Sequence, residues 1–581
     1  MQVNKDNKKD YLIHCLAILI ITMLCLINFE KYNYLVILND EFGYWANAAS
    51  FMGYDWKELI AETPYYSWGY SIWLMPIIGL LPTPELWYKA AISLNILFLI
   101  GSYFLCCKTG KMLFRNIENS IVYAVSFVTI IYPSNIFYAQ LTWSETLLYF
   151  LMWLATYLIV ILENKFSYKK ITMTAIILIY MYIVHARAIG VVLVGIVALF
   201  FVFLKHKKHP LEFLSVFLLL GIGLILHGEI KDYHTSILWA NSEASNLNNV
   251  GLDTGTISYY LSQITNNIRL LAESLGGKLI YLIVATGLTL PVAVVQFIKE
   301  LILAIKSKEW FFDNIITKFW CICSCVAMWG ICALQMMSWS VRKDMIVYSR
   351  YMENALGPIL FLSLMYMIIK KKELRIGISL SIVLFFTGLR SVYLRVSRTT
   401  GNFNSVCSPV FGAFYDNCDK DAMLAFVCMV ISLLAIFVVL WGGSHLKNKE
   451  VKKSIIVVVF SVYFIIVGYC SSTYINDARD YYKNNTESLA ISIQENYGQS
   501  EIYYIKNQEL DWYSVNPKYL QFILHDKSIQ VMEIEKITSC VRKGDVVLIN
   551  PYDIKAEEEI IFNQKLKLVS ETEILKMYIV Q

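Results

Sequence analysis

The sequence predicts an α-helical polytopic membrane protein of about thirteen spans with a small C-terminal α/β domain, and three observations lead there. The 581-residue chain is 57% hydrophobic and only 16% charged, against the ~25% charged residues usual in soluble domains. Many of its apolar runs reach the ~20 residues a helix needs to cross a bilayer. Those runs stop near residue 471, after which charge rises and apolar stretches shorten. The net charge of +5 is too small and scattered to suggest a nucleic-acid partner. The cations report sidedness instead, because cytoplasmic loops are enriched in Lys and Arg.

Lys5, Lys8 and Lys9 precede the first apolar run, 11–28, which lacks a small-residue cleavage site and reads as a membrane helix. The N-terminus is therefore expected in the cytoplasm, and residues 29–85 as a first extracytoplasmic loop. Ser67 to Leu81 is apolar but short, and Pro76, Pro82 and Pro84 punctuate it, so it is expected to be re-entrant or juxtamembrane. The run 86–107 returns to Lys108, Lys111 and Arg115. Then 117–138 exits and 145–162 comes back to Lys165, Lys169 and Lys170. His185-Ala186-Arg187 splits the stretch 171–204 into two spans that meet outside and end at Lys205, Lys207 and Lys208. The run 211–228 exits to a polar loop at about 229–275, and 277–298 returns to Lys299. Next, 316–337 exits to a loop with Arg342, Lys343 and Arg350, and 353–369 returns to Lys370, Lys371 and Lys372. The run 376–394 exits to a loop holding Cys407 and Cys418, 422–441 returns to Lys447, Lys449 and Lys452, and 454–471 exits last.

This divides the chain into a membrane domain, 1–471, and an extracytoplasmic domain, 472–581. In the latter, short β-rich runs at 501–505, 529–534, 546–549, 568–569 and 577–580 alternate with helical patterns at 518–524 and 556–562, the signature of a small α/β unit. It has no Gly-rich phosphate loop, which argues against nucleotide binding. The 13 cysteines show no metal-ligand spacing; Cys321, Cys323 and Cys325 are scattered around one helix. Cys407 and Cys418 share an outer loop, where a disulfide and two free thiols are both compatible with the spacing.

Function concentrates in the first loop, from Asn39 to Tyr70. It holds the adjacent acids Asp40 and Glu41, then Glu62 before Thr63-Pro64, interleaved with Tyr44, Trp45, Trp56, Tyr65, Tyr66, Trp68 and Tyr70. Tyr and Trp favour the headgroup level, so the loop is expected to lie on the membrane surface presenting carboxylates. The charge pattern puts Glu145, preceded by the capping candidates Thr142 and Ser144, on the same side. So are Arg187, costly in the middle of an apolar stretch, and Arg350 at the start of a span. Carboxylates activate a hydroxyl or hold a divalent metal, and arginines clamp a phosphate. Transfer from a lipid phosphate at the membrane surface uses all of these.

The pattern resembles the GT-C-fold membrane glycosyltransferases, especially relatives of protein O-mannosyltransferase and of the lipid A aminoarabinose transferase. Asp40-Glu41 with Tyr44 and Ala46-Asn47-Ala48 resembles that family's D-E-x-x-Y-x-x-x-A loop, and Glu62-Thr63-Pro64 its E-K-P element. Pro133 with Tyr138-Ala139 and Glu145 resembles P-(x)n-Y-A-(x)n-D. Arg187-Ala188-Ile189-Gly190 resembles the basic-x-x-G turn, and Arg350-Tyr351 with Pro358 the R-Y-(x)n-P start of a late span. Thr63 stands where the family has Lys, and Glu145 where Asp is usual, which leaves metal use and sugar identity open.

The resemblance implies a polyprenyl-phosphate-linked sugar donor, a glycan, lipid or protein acceptor, and inversion at the anomeric carbon. Asp40, with Glu41 beside it, would be the catalytic base. Glu62 and Glu145 would orient the acceptor or hold a divalent metal. Arg187 and Arg350, aided by Arg342 and Lys343, would bind phosphate. Tyr44, Trp45, Tyr65, Tyr66, Trp68, Tyr138, His185 and Tyr351 would line the sugar and lipid. Two other classes compete. A lipid-linked sugar flippase or transporter would spread charges through the membrane depth, often with internal repeats, and this sequence shows neither. A polyprenyl-linked polysaccharide polymerase or ligase shares a large outer loop but does not call for two acids directly after the first span.

Overall fold

The computed structural model of the chain describes residues 2–36, 38–239, 254–312, 314–337, 342–446, 448–507, 516–562 and 566–581. Part of the expected loop 229–275, residues 240–253, lies outside them. On either side that loop is helical: Leu214–Leu238 continues past the span, and Thr254–Asn266 follows.

Among the described residues, eight helices are long and apolar enough to cross a membrane. The number rises to 11 when each of three bent pairs counts as one span. Two further helices with apolar stretches, Gln2–Cys25 and the 17-residue Tyr168–Val184, stand where the first and fifth spans are expected. The protein is a multi-pass membrane protein, and its surface agrees. Leu218, Ile225, Ile431 and Val438 are all more than half exposed, an apolar belt that water would penalise and lipid accepts.

The bent pairs have local causes. Asn119–Ile130 and Pro133–Ala139 meet at 60°, where Pro133 opens the second helix without a donor N–H. The expected straight span 277–298 is instead two helices, Ile268–Ala285 and Leu290–Ser307, at 105°. Gly287 and Leu288 between them take left-handed dihedrals, φ 57° and 71°, which turn the chain back on itself. Lys343–Glu353 and Leu356–Ile369 meet at 83°.

The last span does not stop at the membrane boundary expected at 471/472. It runs on as one 48-residue helix, Lys449–Asn496, and the sheet begins only at Ile502. Its strands are β1 (Ile502–Ile505), β2 (Ile529–Met532), β3 (Val546–Ile549), β4 (Leu566–Glu571) and β5 (Lys576–Val580), in the order β2-β1-β3-β5-β4. β1 pairs in parallel with β2 and β3, and β5 runs antiparallel to β3 and β4. β1 and β3 are wholly buried and read as uninterrupted apolar runs, as inner parallel strands do. The helices Asn516–Ile523 and Ile554–Phe562 complete the α/β unit.

Cys407 and Cys418 are both free thiols, and Cys418 Sγ instead lies 3.9 Å from Cys428 Sγ.

Candidate active site

The charged residues of interest sit where helices begin. Asp40 is in the first turn of Leu38–Phe51, and Glu145 opens Glu145–Asn164. Both positions are favourable for a carboxylate beside the positive end of a helix dipole. Arg187 lies in the 3-10 turn Ala186–Ala188 between two spans, and Arg350 opens the short helix Arg350–Glu353. The lysines and arginines of Lys108–Arg115, Lys165, Lys205 and Lys370 occupy the opposite ends of the same or adjoining helices. An arginine at a helix start gains nothing from the dipole, so it needs acids, and Arg350 has two. Its Nη1 donates to Asp40 Oδ2 and its Nε to Glu145 Oε1. Its guanidinium carbon lies over the Trp143 ring, 3.6 Å from the centroid.

Arg187 is stacked in the same way on Tyr351, 3.5 Å from the centroid, and its Nη1 is 3.2 Å from His185 Nε2. Burial, reinforced by the charges of Arg187 and Arg350, holds the His185 imidazole well below its ordinary pKa. It is therefore neutral, and its Nε2 accepts from the guanidinium. The Tyr66 hydroxyl donates to Asp40 Oδ1. Burial, and then the Asp40 charge, push the Tyr66 hydroxyl well above its usual range, so it stays a donor. The first loop reaches this turn through Gly69: a Cβ there would come within 2.6 Å of the Val184 backbone. Together these groups line a cleft walled by Asp40, Tyr44, Tyr65, Tyr66, Ser67, His185, Arg187, Arg350 and Tyr351. It presents the Asp40 carboxylate beside two guanidiniums that each lie over an aromatic ring.

No protein-family model matches this chain, and no curated protein matches it in sequence. Its architecture does have solved counterparts. The structure of ArnT from Cupriavidus metallidurans in the apo state aligns over 98% of both chains, with a TM-score of 0.54 at 12% identity. The same protein bound to undecaprenyl phosphate aligns over 97% of both chains, with a TM-score of 0.53 at 11% identity. The chain has the GT-C fold.

Within that fold, several residues singled out in the sequence stand elsewhere. Glu41 does not face the cleft. It is fully buried, with Oε1 accepting from the Tyr88 hydroxyl and from the amide and hydroxyl of Thr142, at 2.7–2.8 Å, and Oε2 from the Val36 amide at 2.6 Å. Four donors make it a structural brace between the first loop and the segment before Glu145, not a second base. Glu62 is not at the cleft wall either; it forms an ion pair with Lys506 of the C-terminal unit. Arg342 makes a two-pronged pair with buried Asp344 at 3.1 and 2.6 Å, and Lys343 Nζ is 3.3 Å from the Tyr415 hydroxyl. Both line a separate cavity, away from Asp40.

The aromatic loop is not a surface belt. Tyr44, Trp45, Trp56 and Tyr70 are at most 2% exposed and use their polar ends inside: Tyr44 with Ser144 at 2.8 Å, Trp45 to Thr142 at 3.0 Å, Tyr70 to Asn95 at 3.1 Å. Tyr44, Tyr65, Tyr66, His185 and Tyr351 do line the cleft. Trp45 packs against Trp87 and Phe522, Trp68 faces His227, and the Tyr138 hydroxyl donates to Val406 O. Sequence reading passed over Trp143, the platform under Arg350, although it sits inside the Thr142–Glu145 stretch. It also passed over Ser67, and over Glu353, which accepts from Ser134 and Tyr281 in the buried layer behind Glu145.

Among the described residues, no three His, Cys, Asp or Glu side chains gather as a metal site. More directly, the donor set does not fit a divalent cation. Arg350 stands between Asp40 and Glu145 and donates to both, so a cationic side chain already occupies the place between the two acids.

Proposed function

We propose that this protein is an inverting glycosyltransferase that moves a sugar from a polyprenyl-phosphate carrier to an acceptor hydroxyl at the outer face of the membrane. The observation that carries the reading is that Asp40 and Arg187 line one cleft, with Arg350 tying Asp40 to Glu145. The end-to-end likeness to ArnT, which has been solved with undecaprenyl phosphate, supports a polyprenyl phosphate as the carrier. In the reaction the acceptor oxygen attacks the anomeric carbon, and the bond from that carbon to the phosphate oxygen breaks. The acceptor proton passes to the Asp40 carboxylate, and polyprenyl phosphate leaves with the electron pair. Phosphate leaves readily once its charge is met, so Arg187 and Arg350 stabilise it without a general acid. Their stacking on Tyr351 and Trp143 fixes each guanidinium plane before substrate arrives, which lowers the reorganisation needed at the transition state. Tyr44, Tyr65 and Tyr66 give the sugar apolar ring faces with hydroxyl rims.

The test is direct. Purified protein, a radiolabelled polyprenyl-phosphate sugar and a total extract of cell-envelope acceptors should yield labelled acceptor and free polyprenyl phosphate. Label left entirely on the carrier across hexosyl and pentosyl donors would reject the reading.

Two further outcomes follow. The Lys-rich helix ends are expected in the cytoplasm by the charge bias of membrane loops, which puts the cleft and the α/β unit outside. A single cysteine introduced near Lys111 should resist a membrane-impermeant maleimide applied to intact cells, and one near Gln530 should react. The reverse pattern would put the cleft on the cytoplasmic side. Because Arg350 takes the place between the acids, transfer by protein stripped with a chelator should proceed at the untreated rate. A loss restored by added divalent cation would show that Arg350 yields its place on substrate binding.

A further inference from the structure

We infer that the C-terminal α/β unit belongs to the transfer site, with Lys518 and Tyr519 acting as positioning residues for Asp40. The inference rests on the glycosyltransferase reading of the cleft. The helix Asn516–Ile523 lies against the first-loop helix Leu38–Phe51, and its polar contacts fall on the residues that lead into the base. Lys518 Nζ donates to Asn39 Oδ1 at 2.8 Å, next to Asp40 in the chain. The Tyr519 hydroxyl donates to Val36 O at 2.9 Å. The amide of that same Val36 is held by Glu41 Oε2. The approach to Asp40 is thus closed from inside the bundle by Glu41 and pinned from outside by Tyr519.

Docking alone would not call for this arrangement. Apolar packing already seats the helix, since fully buried Phe522 lies among Trp45, Trp56 and Trp87. A lysine in a soluble unit is ordinarily solvated, yet Lys518 is 0% exposed, and burying an ammonium is costly unless it is used. The pinning helix is itself fixed to the membrane domain. Tyr519 stacks on Tyr482 of the long last helix with centroids 4.0 Å apart. That helix is anchored in turn beside the site by Arg479, which donates to Gln140 O at 2.6 Å, and by the pair of Lys31 with Asp480. A second clasp, Lys506 with Glu62, and a third, Trp56 Nε1 to His525 O at 2.9 Å, hold the far end of the loop. The α/β unit therefore sets where the carboxylate stands relative to the arginines of the cleft, and an error of about 1 Å in such a placement costs on the order of a hundredfold in rate.

The test uses the full-length protein and the donor assay described above. Wild-type transfer must first be seen; its absence would remove the glycosyltransferase reading and say nothing against Lys518. Given an active wild type, Lys518→Met and Tyr519→Phe should each lower kcat by about tenfold or more, as misplacement of a reacting group does, with KM for the donor unchanged. Lys518→Arg, which keeps the cation, should recover most of the rate. Hydrogen–deuterium exchange over peptides covering 30–45 should quicken in both slow variants while the transmembrane peptides stay protected. Tyr519→Phe removes one oxygen only and keeps the result readable if Lys518→Met folds poorly. Wild-type kcat in Tyr519→Phe, a loss confined to KM, or unchanged exchange over 30–45 would each overturn the proposal.

Discussion

Replacing Asp40 with Asn should cut transfer by about 10²–10⁴-fold, the range general-base catalysis contributes, while the carrier still binds. Asn keeps the size of Asp; its one carbonyl oxygen can still accept from Arg350, and its NH2 can donate to the Tyr66 hydroxyl oxygen, the two groups that hold the carboxylate. What it lacks is the basic oxygen that takes the acceptor proton. The loss therefore falls on kcat, and KM for the donor stays near wild type, the signature of an interaction made in the transition state. Glu41→Gln provides the contrast. Glu41 accepts four hydrogen bonds and faces no solvent, so its amide places a donor against groups that are themselves donors. The protein should melt earlier, and what folds should turn over normally. If Asp40→Asn transfers at the wild-type rate and Glu41→Gln does not, the base has been assigned to the wrong acid.

That contrast marks where the sequence stops being legible. Adjacent residues on a helix point about 100° apart, and which of two acids meets the cleft depends on what the other finds, here Tyr88 and Thr142 from distant segments. The spans, the acid at the start of Glu145–Asn164 and the strand–helix alternation after residue 500 were readable, because each is a local pattern of period and charge. The aromatic loop misled for a physical reason: Tyr and Trp suit both a headgroup layer and a buried layer rich in hydroxyls and amides, and only tertiary contacts decide between them. Arg342 and Lys343 were drawn in by nearness to Arg350, but the 3-10 turn Lys343–Val347 and the buried Asp344 carry them off to a different cavity. Trp143 and Lys518 had no local signal for their roles, since the partner of each lies more than two hundred residues away.

Arg350→Met should be the most damaging change at the cleft, because it removes the one cation between two acids. Met keeps the unbranched stem of the side chain and can still contact the Trp143 ring, so most of the packing is retained. Asp40 and Glu145 would face each other unpaired, with Glu145 only 4% exposed. Breaking a buried pair by deleting one partner costs about 3–5 kcal/mol. Asp40 loses the donor that holds its Oδ2, and the phosphate loses one of its two arginines, so transfer should fall by at least the loss seen for Asp40→Asn. A double variant separates this account from simple unfolding. Arg350→Met combined with Glu145→Gln removes the facing charge and should regain thermal stability. Transfer should stay low in that double variant, because the phosphate has lost one of its two arginines. If the double variant recovers both stability and transfer, Arg350 serves only to neutralise Glu145 and has no part in holding the leaving group. If the single variant transfers at the wild-type rate, Arg350 neither holds Asp40 in place nor meets the phosphate.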